Sequence, residues 1–429
     1  MRVGCFVFVF LLAQSLTAVS TIYGSSVIKN FLPNYKGQDS YAPCVSYCET
    51  LYLVAWQSGR MSKGDVRKGI HWDGDIVGCR IDQKGKNIDE KSFVISDSDD
   101  LQAHVKIANN NSLFLVVWQD FRNGSDWDIY AARVTTSGEV LDPKGILVSG
   151  GSNNQAKPSV IWDGFDFVIV WQDFRSENWY EVYGCRISAN GDVLDLDGIE
   201  IAVGNNFNCY APVVSSVVDG QSFVIWVQQG LPKNSHAISS SAGVFMTRGK
   251  VNEEASYASN LKDARKHGPN GSAQPMSLCS GKHNFLAAWK TESSYSRGRA
   301  PNQSHVSLFD KDGNRIRSNK FLSKNKWNDR YIIDPSIAWS GNEYIVSWHE
   351  FVSNNKNECP HDEVFFARIN EVGDIVGEVN HLSGQLKNPA SKSSLASDTR
   401  GNVLFVYEYH PEDPDIPIRI ACQLLKTNQ

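Results

Sequence analysis

Three observations in the 429-residue sequence predict an all-β fold, a seven-bladed β-propeller of four-stranded antiparallel blades. An apolar run ending in Trp or Tyr recurs seven times. Each copy is accompanied by further short apolar runs separated by glycine turns. No stretch of eleven or more residues keeps a convincing helical period outside the extreme N-terminus.

The recurring run is Leu53–Trp56, Leu115–Trp118, Val168–Trp171, Phe223–Trp226, Leu286–Trp289, Ile345–Trp348 and Leu404–Tyr407, at spacings of 62, 53, 55, 63, 59 and 59 residues. Before it stands a run such as Pro158–Trp162 or Pro335–Trp339, joined to it by turns at Gly164, Gly220, Gly281 and Gly341. Glycine tolerates the positive φ of a tight hairpin. After it come a polar loop and a third run: Asp75–Ile81, Asp128–Val134, Glu181–Ile187 or Glu363–Ile369. Turns at Gly85, Gly138, Gly191, Gly313 and Gly373 lead to a fourth run, such as Gly145–Val148. One four-stranded sheet cannot cover both of its faces. Seven of them packed in a ring can. The Trp residues then fill the wedge between blades.

Ring closure is also written in the chain. The seventh copy has its third run, Ile418–Leu424, and no fourth. Residues 26–32 have the character of a fourth strand and no Trp run of their own. Residues 21–34 are therefore expected to close the ring beside the last strand and hide its open edge. The fourth copy is the least regular: its third run, Gly243–Arg248, is followed by the polar stretch 252–271, an insertion or a much altered fourth strand.

Residues 1–20 read as a signal peptide: Arg2, the apolar run Cys5–Leu12, and small residues at Ala18 and Ser20. The run is too short to span a bilayer, and no later run is longer. Residues 21–429 would form the secreted propeller. Asn-x-Ser sequons stand at Asn110, Asn123, Asn270 and Asn302. Without Cys5, eight cysteines remain, and an even count in a secreted chain favours disulfides, with buried thiols the alternative. Cys44 and Cys48 cannot pair, because four residues of strand separate their Cα atoms by roughly 13 Å. The near-balanced net charge of −5 argues against a nucleic-acid partner.

The segment Val-Val-Trp-Gln-Asp-Phe-Arg at 116–122, its counterpart at 170–175 and the run Asp128–Val134 resemble the repeats of secreted β-propeller proteins found widely in microbes. The full motif stands in copies two and three; copy one keeps Trp56, Gln57 and Arg60. The resemblance implies an extracellular propeller. It implies no single activity, since propellers host hydrolases, lectins and scaffolds.

Candidate ligand-binding residues lie in the loops between second and third strands, on one face of the ring. Asp120, Arg122, Asp173 and Arg175 open these loops. They offer charge to a ligand, or they serve the repeat, Asp capping the turn and Arg pairing with a carboxylate such as Asp128 or Glu181. Trp72, Trp127 and Trp179 stand beside Asp73, Asp128 and Glu181. An indole stacks on a sugar face while a carboxylate takes its hydroxyls; packing over a neighbouring blade is the other role. A glycan on Asn123 would crowd Trp127. His71, His349, Glu350, His361, Asp362, Glu408 and His410 fall in neighbouring blades after closure, as a metal or acid–base cluster or as solvated loop residues. They lack metal-site spacing, and no cofactor is implied. Nucleophile-elbow and zinc-protease motifs are absent. The expected function is binding of an extracellular protein or a glycan; the alternative is a secreted hydrolase acting on glycans.

Overall fold

The computed structural model describes residues 28–61, 72–203, 207–216, 221–230, 238–247, 250–251, 273–291, 303–311, 313, 315–322, 332–352, 361–384 and 388–427. The predicted signal peptide, the stretch 252–271, His71, Cys359, Asn270 and Asn302 lie outside them. All regular structure among the described residues is β, in seven four-stranded antiparallel sheets. No helix there is long and apolar enough to cross a membrane.

The first strand in the chain is β1 (Ile28–Phe31). Blade 1 is β2 (Ser40–Cys48), β3 (Leu51–Met61), β4 (Trp72–Asp82) and β5 (Phe93–Ser96). Blade 2 is β6 (Gln102–Asn109), β7 (Leu113–Asp120), β8 (Asp128–Thr135) and β9 (Ile146–Ser149). Blade 3 is β10 (Gln155–Trp162), β11 (Phe167–Asp173), β12 (Glu181–Ile187) and β13 (Ile199–Ala202). Blade 4 is β14 (Phe207–Ser216), β15 (Gln221–Gly230), β16 (Ile238–Thr247) and the two-residue β17 (Lys250–Val251). Blade 5 is β18 (Ala273–Ser280), β19 (Asn284–Thr291), β20 (Gln303–Asp310) and β21 (Arg315–Phe321). Blade 6 is β22 (Ile332–Trp339), β23 (Tyr344–Val352), β24 (His361–Ile369) and β25 (Ile375–His381). Blade 7 is β26 (Ala390–Ser397), β27 (Asn402–Tyr409), β28 (Arg419–Lys426) and, as its fourth strand, β1. The irregular fourth copy is thus a full blade with a shortened outer strand.

The closing strand takes the expected place. Ile28 to Phe31 pair antiparallel with Leu424 to Ala421. Leu32 follows, buried at 1% exposure, its amide on the Ile420 carbonyl at 2.9 Å. Asn30 also reaches into blade 1, donating to Asn87 Oδ1 at 2.7 Å.

The first strands form a closed circle: each packs against those of its two neighbours, and β2 meets β26. Seven apolar cores lie between the blades. Because side chains alternate along a strand, the second strand supplies two cores at once. Leu53 and Ala55 face blade 2, whereas Trp56 faces blade 7. The rule repeats without exception. Trp56, Trp118, Trp171, Trp226, Trp289, Trp348 and Tyr407 each fill the core shared with the preceding blade. Each large ring removes most of its surface from water and widens the outer part of the wedge, which converts a stack of sheets into a ring.

Arginines of the third strands tie blade to blade. Arg80 binds Asp89 through Nε and Nη2 and gives Nη1 to the Thr136 carbonyl of blade 2 at 3.0 Å. Arg133 and Arg186 repeat the ion pair with Asp142 and Asp195. The glycine turn of the next blade is needed for this approach. A Cβ on Gly191 would stand 2.9 Å from Nε of Arg133, and its φ is +90°. Gly191→Ala is therefore expected to lower the unfolding free energy by about 3 kcal/mol, strain and displaced guanidinium together. A urea melt showing a loss under about 1 kcal/mol would contradict this reading of the turn.

The disulfide expectation is not met among the described residues: Cys44, Cys48, Cys79, Cys185, Cys209, Cys279 and Cys422 are all free. The fold distributes them. Cys48, Cys185 and Cys209 sit in three different inter-blade cores as small apolar fillers, and Cys79 and Cys422 in a fourth. Burial pushes the thiols of Cys79, Cys185, Cys209 and Cys422 up to about 12.

Candidate functional site

Each first strand begins opposite the end of its second strand, as Gln155 opposite Asp173 shows. The start of the first strand and the loop between second and third strands therefore share one face. On that face every first strand carries a β-bulge, at its third and fourth residues in six blades and at the fifth and sixth residues of the longer β14. Six of the bulges place a non-glycine residue in the left-handed region: Ala42, His104, Lys157, Ala211, Asp334 and Lys392, with φ between 45° and 54°. Such a residue costs of order 1–3 kcal/mol. Blade 5 has Pro275 there, whose ring holds φ negative.

A contact from the preceding blade helps to hold the strained bulge. The bulge amide of Lys157 donates to Gln119 Oε1 at 3.0 Å, and that of Ala211 to Gln172 Oε1 at 3.1 Å. The amide of Lys392 donates to His349 Nδ1 at 3.3 Å, and that of Ala42 to Glu408 Oε1 at 2.7 Å. The acceptor is always the residue after the core Trp or Tyr. This gives the Gln of the Trp-Gln-Asp motif its purpose.

The Asp and Arg of the motif serve the blade. Asp120 is fully buried; Oδ2 accepts from Trp118 Nε1 at 2.7 Å and from Arg122 Nη2 at 2.6 Å. Its Oδ1 takes the Arg122 amide and Nε, both at 2.9 Å. Arg122 lies 3.8 Å over the Tyr130 ring. Blade 3 repeats this with Asp173, Trp171, Arg175 and Tyr183. The arginine thus pairs with its own Asp, not with Asp128 or Glu181, because the two-residue turn brings guanidinium and carboxylate side by side. In blade 6, Glu350 accepts from Trp348 Nε1 at 2.8 Å. In blade 1 the position is Ser58, and Trp56 Nε1 is buried without a partner.

The loop tryptophans are not equivalent. Trp127 packs edge-on against Phe121 at 5.2 Å and gives its carbonyl to the Gln155 amide. Its counterpart in blade 3 is Tyr180, packed on Phe174 at 4.9 Å with its carbonyl on the Cys209 amide. Trp179 comes one residue earlier, half-buried, after exposed Asn178 and two residues before Glu181 of the strand. Trp72 and Asp73 begin β4 opposite Met61 and Arg60; their side chains lie outside what is described. The acid that matches Asp128 in blade 1 is Asp75, opposite Ser58 as Asp128 is opposite Asp120.

Burial pushes the Asp128 carboxyl up, aided by the charge of Asp126. Burial raises Glu181 likewise, aided by Asp173 and Glu200. Asn123 spends Nδ2 inside its own loop, donating to Asp126 at 2.6 Å and Asp128 at 3.0 Å. Asn110 caps its hairpin with Oδ1, accepting the Ser112 and Leu113 amides.

Part of the histidine–acid group does converge, at blades 6, 7 and 1. Glu408 accepts from the Ala42 amide and from Ser391 Oγ at 3.0 Å, with His410 Nε2 at 3.3 Å and Lys392 Nζ at 3.5 Å. Burial alone would push this carboxyl up; His410, Lys392 and the Ala42 amide outweigh it and hold its pKa below the usual range. His349 is buried, and that burial lowers its pKa. His361 lies elsewhere, on Glu363 at 2.9 Å beside His381. Ser391 Oγ and Glu408 meet the same nitrogen of His410, so the three do not form a nucleophilic relay. Among the described residues no group of three or more His, Cys, Asp or Glu could hold a metal ion.

The wall residues His104, Lys106, Lys157 and Lys392 escaped the sequence reading. Their side chains are all exposed on the first strands. A signal was present: Ala42, Lys157, Ala211 and Asp334 each precede a proline in a repeated position, and only the residue before it varies in charge.

No protein-family model matches the chain, and no curated protein sequence does. Solved structures do match in fold. A polysaccharide lyase, Uly1, superposes with TM-score 0.54 at 9% identity, covering 90% of each chain. A protein of unknown function from Dyadobacter fermentans gives 0.49 at 11% identity over 95% of this chain and 100% of its own. An α-L-arabinofuranosidase, arb93a of Fusarium graminearum, gives 0.46 at 8% identity over 93% and 97%. The overlap with the lyase shows a shared β-propeller fold, and at this identity nothing finer.

Proposed function

We propose that the chain is a secreted, glycosylated propeller that binds a carbohydrate on the face carrying the first-strand bulges. The observation that supports this reading is the loop of blade 3. Trp179 stands half-buried just before Tyr180, which packs on Phe174, with the raised carboxyl of Glu181 two residues on. A part-exposed indole with an acid nearby offers stacking to sugar C–H groups and an acceptor to hydroxyls. Asp120, Arg122, Asp173 and Arg175 hold that face in shape, and Trp127 packs at its rim. The fold-level likeness to the lyase is in keeping with a glycan ligand.

The test is a glycan array followed by titration calorimetry. Trp179→Ala is expected to weaken the best ligand by roughly tenfold, one stacking contact, with an unchanged melting temperature. Equal binding by wild type and variant would remove the proposal.

A second reading, glycan hydrolysis, draws on the raised carboxyls of Asp128 and Glu181. Both belong to a repeated position, whereas an active site needs a pair that occurs once. If it holds, Asp128→Asn abolishes release of reducing sugar from a pooled glycan substrate while leaving binding intact.

A further inference from the structure

Four cationic or protonatable side chains stand together at one mouth of the central channel. His104 occupies the blade 2 bulge, Lys157 that of blade 3 and Lys392 that of blade 7, and Lys106 lies one step deeper on the wall of blade 2. Blade 1, between blades 7 and 2, contributes only Ala42 at this level. The gap over Ala42 is why Lys392 acts on His104 from two blades away. Among the described residues, Lys106 and Lys157 have no carboxylate partner; Lys392 has Glu408 at 3.5 Å. The one acid among the bulge residues is Asp334 of blade 6. His104 is reachable by solvent yet walled by protein. That desolvation, with Lys106, Lys157 and Lys392, pulls its pKa down to about 4, and no carboxylate acts to raise it. A chain of net charge −5 thus keeps, among the described residues, Lys106 and Lys157 without a carboxylate, and Glu408 as the one carboxylate on Lys392, in a protein-walled place where field lines are focused.

We infer that this channel mouth binds the anionic group, carboxylate or sulfate, of an acidic glycan. The inference rests on the carbohydrate reading above and names the ligand class for that same face. The anion lies over Ala42, between Lys392 and His104, with Lys157 and Lys106 completing its neighbours. The bulges are what present His104, Lys157 and Lys392: a left-handed residue turns its Cβ out of the strand's regular alternation, and each of the three is exposed. Ala42 and Ala211 show that the same bulge forms with no side chain beyond Cβ, so the charges are not needed for the fold.

That last point supplies clean variants. Lys157→Ala copies blades 1 and 4; Lys106→Ser copies Ser159, Ser277, Ser336 and Ser394, the residues two beyond the bulge start in other blades. The full chain is titrated by calorimetry with a galacturonate hexamer, a sulfated galactan hexamer and a neutral galactan hexamer, at low and at 0.5 M salt. Inorganic sulfate is added separately while the His104 ring is followed by NMR. Expected is binding of one or both charged hexamers, weakened on the order of tenfold or more by the Lys106→Ser/Lys157→Ala double variant and by salt. Lys157→Arg should restore the affinity lost in Lys157→Ala. Sulfate should raise the His104 titration midpoint, because a bound anion favours the imidazolium. Preference for the carboxylate or for the sulfated hexamer tells which group the mouth takes. Binding of the neutral hexamer as tight as the charged ones, or charged binding unmoved by the double variant, overturns the inference and leaves the carbohydrate reading standing. A sulfate-dependent shift of His104 with no binding of any hexamer keeps the anion site and overturns the carbohydrate reading.

Discussion

Deleting residues 28–34 is expected to lower the unfolding free energy by roughly 5 kcal/mol or more, and to make the protein self-associate. The deletion removes the ladder between Ile28–Phe31 and Leu424–Ala421. It removes the buried Leu32, worth about 2 kcal/mol by the usual transfer scale. The amide of Leu32 on Ile420 and the side-chain bond from Asn30 to Asn87 go as well, each worth about 1 kcal/mol. What remains is worse than a missing strand. The buried edge of β28, with Ala421, Cys422 and Leu424, would face water as an unpaired apolar strand, a template for a second chain. Calorimetry and size-exclusion chromatography read both consequences. A deleted protein that melts where the parent does would refute the closure.

Asp120→Ala should be nearly as damaging, at about 3–5 kcal/mol, although it touches one residue. The carboxylate is fully buried and binds two groups that have no substitute, Trp118 Nε1 and the Arg122 guanidinium. Its loss leaves an indole N–H and a half-buried cation unsatisfied. Arg122→Ala on its own is milder, because Asp120 keeps the indole N–H on Oδ2 and the backbone amide of residue 122 on Oδ1. The double variant should be less damaging than the two single losses added together, since the orphaned cation is then gone. The same series at Asp173 and Arg175 should repeat the pattern, as the geometry does. Additive losses in the cycle would mean that the pair is not one unit.

The count of blades and their closure were legible because both depend on local patterns that repeat. An apolar run with a terminal Trp can only be a strand facing a wedge, and seven of them at similar spacing state the number. A third run without a fourth, balanced by a lone strand at the start, states the closure. The tertiary structure added the direction: every Trp faces the preceding blade, which no spacing reveals.

The candidate site was read less well, for a definite reason. Trp127, Asp120 and Arg122 stood out because they recur, and what recurs in a propeller mostly serves the blade. Their partners are Phe121, Trp118 and Tyr130, all within blade 2. Trp179 and Trp127 looked alike by neighbourhood, but the backbone register gives the packed position to Tyr180. The cysteines looked like a disulfide set by parity alone, and the ring spreads most of them among separate cores.

By itself the sequence determined what any short stretch can impose: strands, turns, their number, and the unfinished sheet that the first strand completes. The tertiary structure alone decided which side chains share the mouth of the channel. His104, Lys157 and Lys392 are separated by 53 and 235 residues and lie on different sheets. They meet because a closed circle brings the second and third blades round to the seventh, and because a strained bulge in each turns one residue out of the strand's regular alternation.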